Sequence, residues 1–245
     1  MNTTDKSHNR YLLILVLLFA FEAVLLAISP IDRAAWVLEN VLTIVFVVVI
    51  LATHNVFPLS RISYTLIFLF LLLHELGAHY TYAKVPYDQW WQTLFGFSLN
   101  ESLGFERNHF DRLVHFSYGL LLAYPIREIF IRIAGVRGFW GYFLPLDLTM
   151  STSMMFELFE WAAAEAFGGD LAMDYLGIQG DIWDAHKDMA LASLGAFLAM
   201  MVAAVINITL QKGFSREWSQ SLTIKRRAPL GEEQIQRYID GDEND

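Results

Sequence analysis

Six apolar runs, at about Tyr11–Ile28, Trp36–Thr53, Ile62–Tyr82, Leu113–Ile133, Leu144–Phe167 and Ala185–Thr209, dominate this chain of 245 residues. Crossing a hydrocarbon layer of about 30 Å takes roughly 20 apolar residues in a helix. No water is available in that layer, so each spanning segment must satisfy its own backbone N–H and C=O groups. Transmembrane strands do not fit, because they alternate polar and apolar residues and need only about 10 of them. The expected fold is all-α, a polytopic bundle of six transmembrane helices. A composition of 55% hydrophobic and 18% charged residues agrees with that class.

Lys6 and Arg10 precede the first run, as in a signal peptide, but the run is long and no small-x-small cleavage site follows at Ile28-Ser29-Pro30. We read it as a retained span. Under this threading twelve of the 17 lysines and arginines fall on one side, and Arg33, Lys84, Arg107, Arg112 and Lys187 fall on the other. The positive-inside bias then places both termini in the cytoplasm. The expected organisation is a cytoplasmic N-terminus at 1–10, a membrane domain at 11–209 with an extracytoplasmic loop at 83–109, and a mobile cytoplasmic tail at 210–245. The loop is irregular in pattern and carries Trp90 and Trp91, residues suited to a membrane interface. A loop of that length is commonly a lid or a binding segment.

The polar residues of the spans gather at one end. Span three closes on "HELGAHYTY", span four opens on "RNHFDRLVHFSYG", span five closes on "FELFEWAAAEAF" and span six opens on "GDIWDAHKDM". At about 100° per residue, Glu75, His79 and Tyr82 share a face of span three, with His74 a quarter turn away. Asn108, Asp111, His115 and Tyr118 share a face of span four. Thr149, Ser153, Glu157 and Glu160 form a stripe in span five, as do Asp181, Asp184 and Asp188 in span six. Four helices each with one polar stripe are expected to turn those stripes inward.

Charge gives the convergence its weight. Thirteen of the 26 acids lie on the outer side beyond the first outer loop, against Lys84, Arg107, Arg112 and Lys187. Close carboxylates away from water must share protons or bind a cation. Carboxylate mixed with imidazole suits zinc, manganese or iron rather than magnesium or calcium. The expected metal set is Glu75, His79, Asp111, His115, Glu157, Glu160, Asp184 and Asp188, with Asp181 as a proton relay. A zincin site is excluded, because its histidines stand four apart on one face, whereas His74 and His79 are five apart. His54, His109 and His186 are read as hydrogen-bonding interface residues, Asp170 and Asp174 as solvated loop acids, and Glu128 with Arg132 as a local pair. Cysteine is absent, which excludes disulfides, thiolate ligands and a cysteine nucleophile.

The blocks "HELGAHYTYAKVPYD", "RNHFDRLVHFSYGLL" and "GIQGDIWDAHKDMALASLGA" resemble the YjdF-type inner-membrane proteins, a bacterial family. The resemblance runs from about residue 12 to 205. It implies a multi-pass protein of the bacterial inner membrane and points to the same His, Asp and Glu positions, and it supplies no activity. The segment "DMALASLGAFLA" is also similar to the last span of VanZ-like proteins, with Ala192 standing where those have Asn between Asp188 and Gly195.

Three functions fit these features. A metal-dependent hydrolase could act at the outer face on a lipid or lipid-linked substrate. A cation- or proton-coupled carrier also uses intramembrane acids, and a non-catalytic metal-binding scaffold or sensor is the third. The carrier calls for broken helices near the midplane, and spans three, four and six have no Gly-Pro break there. The hydrolase is therefore the expected function. The net charge of −9 belongs largely to the acidic tail and the outer helix ends, so a nucleic-acid partner is not expected.

Overall fold

A computed structural model describes residues 3–167, 181–225 and 231–240. Asp170 and Asp174 lie outside the described residues. Those described form ten helices and no strand: α1 (Thr3–Leu26), α2 (Arg33–Thr53), α3 (Arg61–His79), α4 (Tyr87–Phe95), α5 (Leu99–Leu103), α6 (Phe110–Ile133), α7 (Trp140–Phe167), α8 (Asp184–Leu210), α9 (Phe214–Ser221) and α10 (Glu232–Asp240). The six long helices follow the six apolar runs. Span three alone is shorter than expected, ending at His79 rather than Tyr82.

Four helices, α1, α2, α3 and α8, are long and apolar enough to cross a membrane, with mean hydropathy of 2.0, 2.4, 1.4 and 2.4. The 24 residues of α6 and 28 of α7 match them in length. Their charged residues dilute the apolar character, and some of them, Asp111, Arg112, Glu157 and Glu160, stand at the site described below.

α6 is the centre of the bundle, packed on α3, α7 and α8, while α1 and α2 lean on α3. Its closest neighbour is α8. A Cβ added at Gly119 would overlap the Ala192 carbonyl oxygen, and one at Gly195 would overlap that of Phe116. Ala123, Ala192 and Ala196, all fully buried, complete this seam of small residues. Between lipid-solvated helices the attraction is mainly van der Waals contact, which small residues maximise by letting the backbones touch.

The opposite end is held by hydrogen bonds. Glu128 of α6 accepts from the Ser60 N–H at 2.9 Å, the Ser63 hydroxyl at 2.5 Å and Arg132 at 2.7 Å, capping the start of α3. The expected Glu128–Arg132 pair is therefore present and joins a larger network. His54 lies between the Tyr64 hydroxyl at 2.7 Å and Asn9 Oδ1 at 3.0 Å, the interface role expected of it.

Two segments are more ordered than their sequences imply. In 83–109, Asp88 accepts from the Ser98 hydroxyl and the Asn100 N–H, both at 2.9 Å, and so ties α4 to α5. Beyond residue 210, α9 packs Phe214 and Trp218 against Tyr142, and Ser221 accepts from the Phe139 N–H at 2.9 Å. The physical reason is aromatic burial at the start of α7, which a local reading of a polar tail does not register.

The α6–α8 seam generates a direct expectation. Replacing Gly195 by Leu forces the backbones apart, at a cost of about 1–3 kcal/mol, so the thermal midpoint in detergent should fall by on the order of 5 °C. Gly141→Ala, where the nearest atom to an added Cβ is 3.8 Å away, should leave it unchanged or slightly raised.

Candidate metal centre

The centre begins with the way α6 starts. The Asn108 side chain donates to the Val85 carbonyl at 2.8 Å and accepts from the Phe110 N–H at 2.9 Å, fixing the first turn. Asp111 and His115 then follow four residues apart on one face, turned toward α8 and α7. The α6–α8 seam lies one to two turns further along, so Asp188 is brought against them. One donor atom each from Asp111, His115 and Asp188 lies within 4.8 Å of the others.

Glu157 of α7 approaches the group on the His115 side. Its Oε1 is 3.4 Å from His115 Nε2, and Asp111 Oδ1 is 3.6 Å from the same nitrogen. Both separations exceed the usual 2.7–3.2 Å of an N–H···O hydrogen bond. They match the spacing of about 3.3–3.6 Å between two ligands of a tetrahedral ion bound at about 2.0–2.2 Å. Neither Glu157 Oε1 nor Asp188 Oδ1 has a hydrogen-bond partner among the described residues, although both side chains are buried. An unpaired carboxylate away from water is costly unless a proton or a cation compensates it. Glu160, one turn beyond Glu157, faces it from the same helix.

The acids just outside this group are neutralised by arginine and lysine. Arg107 holds Asp184 with both terminal nitrogens, and Arg112 bridges Asp181 at 2.6 Å and Asp184 at 3.3 Å. Lys187 adds a 2.5 Å contact to Asp181. The clamp pins the start of α8 to the start of α6. It also revises two expectations: Asp184 spends its oxygens on guanidinium groups, and Asp181 is a fixed anion. The Lys187 ammonium and then the Trp183 N–H hold the Asp181 carboxyl down at about 2, too acidic for a proton relay near neutrality.

The end of α3 is arranged differently from a continued helix. Thr81 and Tyr82 adopt left-handed φ values of 52° and 49°, and the chain doubles back. The Tyr82 ring then lies on Gly77, where an added Cβ would overlap it. Its hydroxyl sits 2.7 Å from His74 Nδ1 and 3.4 Å from Glu39 Oε2. The expected face of Glu75, His79 and Tyr82 therefore does not form, because Tyr82 is no longer helical. Glu75 is fully buried on another side, with the Asn40 side chain facing it and neither oxygen in a well-formed hydrogen bond. His79 turns away toward α1 and pairs with the Leu26 carbonyl at 2.7 Å.

Of the eight expected ligands, then, Asp111, His115, Asp188 and Glu157 come together and Glu160 borders them. Asp184 belongs to the arginine clamp, and Glu75 and His79 lie elsewhere. Glu39 and His74 had no place in the expected site. Their signal was available: Glu39 is an acid followed by Asn40 inside a spanning run, which is a functional marker by default. A cavity of about 550 Å³ opens beside the group, with His74, Tyr82, Asp111, His115 and Glu160 at its polar end.

The clamp carries a pH expectation. A carboxyl with a depressed folded-state pKa contributes stability that is complete above its ordinary value of 3.8 and is lost as pH falls through about 2. Hydrogen exchange at Trp183–Lys187, corrected for intrinsic rates, should be as protected at pH 4.5 as at pH 7. Asp181→Asn should lose that protection at both.

Residues 11–208 match the family described as "Predicted membrane protein (DUF2238)". Among curated proteins, the inner membrane protein YjdF of Escherichia coli (strain K12) is 42% identical over 178 residues, which cover 72% of this chain and 81% of that protein. No solved structure matches the chain. With its apolar helices, this places the chain as a multi-pass inner-membrane protein, and it belongs to the YjdF-type DUF2238 family.

Proposed function

We propose that this protein is a metal-dependent membrane hydrolase acting on a lipid or lipid-linked substrate, with a divalent transition metal held by Asp111, His115, Asp188 and Glu157. The observation that carries this reading is the grouping of His115 with Asp111 and Asp188, with Glu157 close to the same imidazole and oxygens of Asp188 and Glu157 left without hydrogen bonds. One imidazole among carboxylates favours zinc, manganese or iron. A metal there would lower the pKa of a bound water and polarise a carbonyl or phosphoryl oxygen. Glu160, at the polar end of the cavity, takes the proton-relay role in place of Asp181.

A hydrolase is favoured over a carrier by helix continuity. α3, α6, α7 and α8 run unbroken, α6 and α7 even through Pro125 and Pro145, and carriers usually have discontinuous helices around a midplane site. We further propose that α1, α2, α3, α6, α7 and α8 all cross the membrane, with both termini cytoplasmic. On this topology the metal group lies toward the outer leaflet, and 210–245 is a cytoplasmic tail.

Two measurements test these readings. Protein purified without chelator should hold about one transition-metal ion per chain. His115→Ala and Asp188→Asn should each lower occupancy at least ~10-fold, as expected for ligand loss given that even outer-shell changes cost 10–100-fold, while Asp181→Asn should leave it unchanged. Absence of stoichiometric metal from folded wild-type protein would falsify the metal reading. Reporter fusions after Lys84, Arg137 and Lys212 should read outside, inside and inside, and an outside reading at Arg137 would overturn the topology.

A further inference from the structure

The cavity beside the metal group has a shape of its own. α3 and α6 form its floor, through residues such as Ile67, Leu71, Leu122 and Ile126, and α2 and α7 form its walls. Along α2 it runs from Leu42 to Thr53, eleven residues or about 16 Å at 1.5 Å per residue. Its volume of about 550 Å³ falls within the ~300–1,000 Å³ typical of small-molecule sites. The walls include Val49 and Phe159, about half exposed on the lipid-facing side, so the slot is open sideways to the bilayer.

Polarity is confined to one end. His74, Tyr82, Asp111, His115 and Glu160 gather there, while the body is almost entirely aliphatic and aromatic. Three of the hydroxyls along it are already engaged, while the Ser153 hydroxyl has no hydrogen-bond partner among the described residues. Thr53 donates to the Val49 carbonyl and Thr152 to that of Leu148, both at 2.7 Å, and the Tyr118 and Thr152 hydroxyls meet at 2.6 Å. The slot therefore offers a ligand little polar contact midway, the buried Ser153 hydroxyl apart. Its occupant must have one polar end and a long, slender apolar body, and in a bilayer the molecules of that description are acyl chains. Left empty, the slot would forfeit contacts for every side chain that lines it.

We propose that the slot binds one acyl chain of a membrane lipid, with its carbonyl at the Asp111–His115 end and its tail toward Phe57 and Ile129. The substrate class is thereby an acyl ester or amide, and any second chain stays in the bilayer beyond the gap between α2 and α7. This assignment of substrate rests on the hydrolase reading, whereas occupancy of the slot does not. In the reaction, the oxygen of water bonds to the acyl carbon and one of its protons passes to Glu160. The bond from that carbon to the ester oxygen or amide nitrogen breaks, and the leaving group takes the proton, giving a fatty acid and an alcohol or amine.

A mid-chain diazirine derivative of hexadecanoic acid, photolysed with the full-length protein in nanodiscs, tests the slot directly. Label should concentrate on α2, α6 and α7 peptides bearing Val49, Ile126 and Phe156, and excess unlabelled hexadecanoic acid should displace it. Ile126→Trp, in the floor, and Val49→Trp, on the lipid-exposed wall where folding is not at risk, should each reduce that labelling at least fivefold with metal content unchanged. His115→Ala should lose metal yet still label the slot, which separates failure of the metal reading from failure of this one. Label spread evenly over lipid-facing residues such as Leu17 and Phe21, or slot labelling that both Trp variants leave intact, would overturn the proposal.

Discussion

Backbone contact between α6 and α8 is the constraint on which the rest of the structure depends. Gly119 lies on Ala192 and Gly195 on Phe116, so neither position can carry a side chain without separating the helices. Side chains such as Asp and His are short. Only because the two axes approach so closely can Asp111 and His115 share a site with Asp188.

The same approach concentrates charge, and the molecule handles it in two ways. Near the start of α8, Arg107, Arg112 and Lys187 neutralise Asp181 and Asp184 by direct pairing. Deeper in, no lysine or arginine forms an ion pair with Asp188, Glu157 or Asp111 among the described residues, and His115 alone lies close to Asp111 and Glu157. A buried ion pair is weak evidence for stability, and a buried unpaired carboxylate is strongly unfavourable. The division is therefore between acids paired by cations near the start of α8 and acids left without such partners deeper in.

The cavity gives that group an apolar neighbour. Its head is polar because His74 of α3 and Asp111 and His115 of α6 lie near the ends of their helices, whereas the body is lined mostly by aliphatic and aromatic residues of α2, α3, α6 and α7. Tyr82 is the hinge between the two regions. Two left-handed residues carry it back over Gly77, so that its hydroxyl meets His74 and faces Glu39 at the polar end.

What the sequence determined by itself was everything governed by local composition and period. Long apolar runs dictated six long helices, since an unsatisfied backbone is not tolerated in lipid, and shared helical faces brought forward Asp111 with His115, Glu157 and Asp188. The tertiary structure alone decided which acids remain unpaired. Asp181 and Asp184 have the same residue type and face as Asp188, and only the reach of Arg107, from the segment before α6, and of Arg112, from α6, distinguishes them. Likewise a helical wheel cannot anticipate that the chain leaves α3 at His79, removing Tyr82 from its face and turning His79 toward Leu26. Pairing and chain reversal depend on distances between segments remote in sequence, and periodicity within one segment carries no information about them.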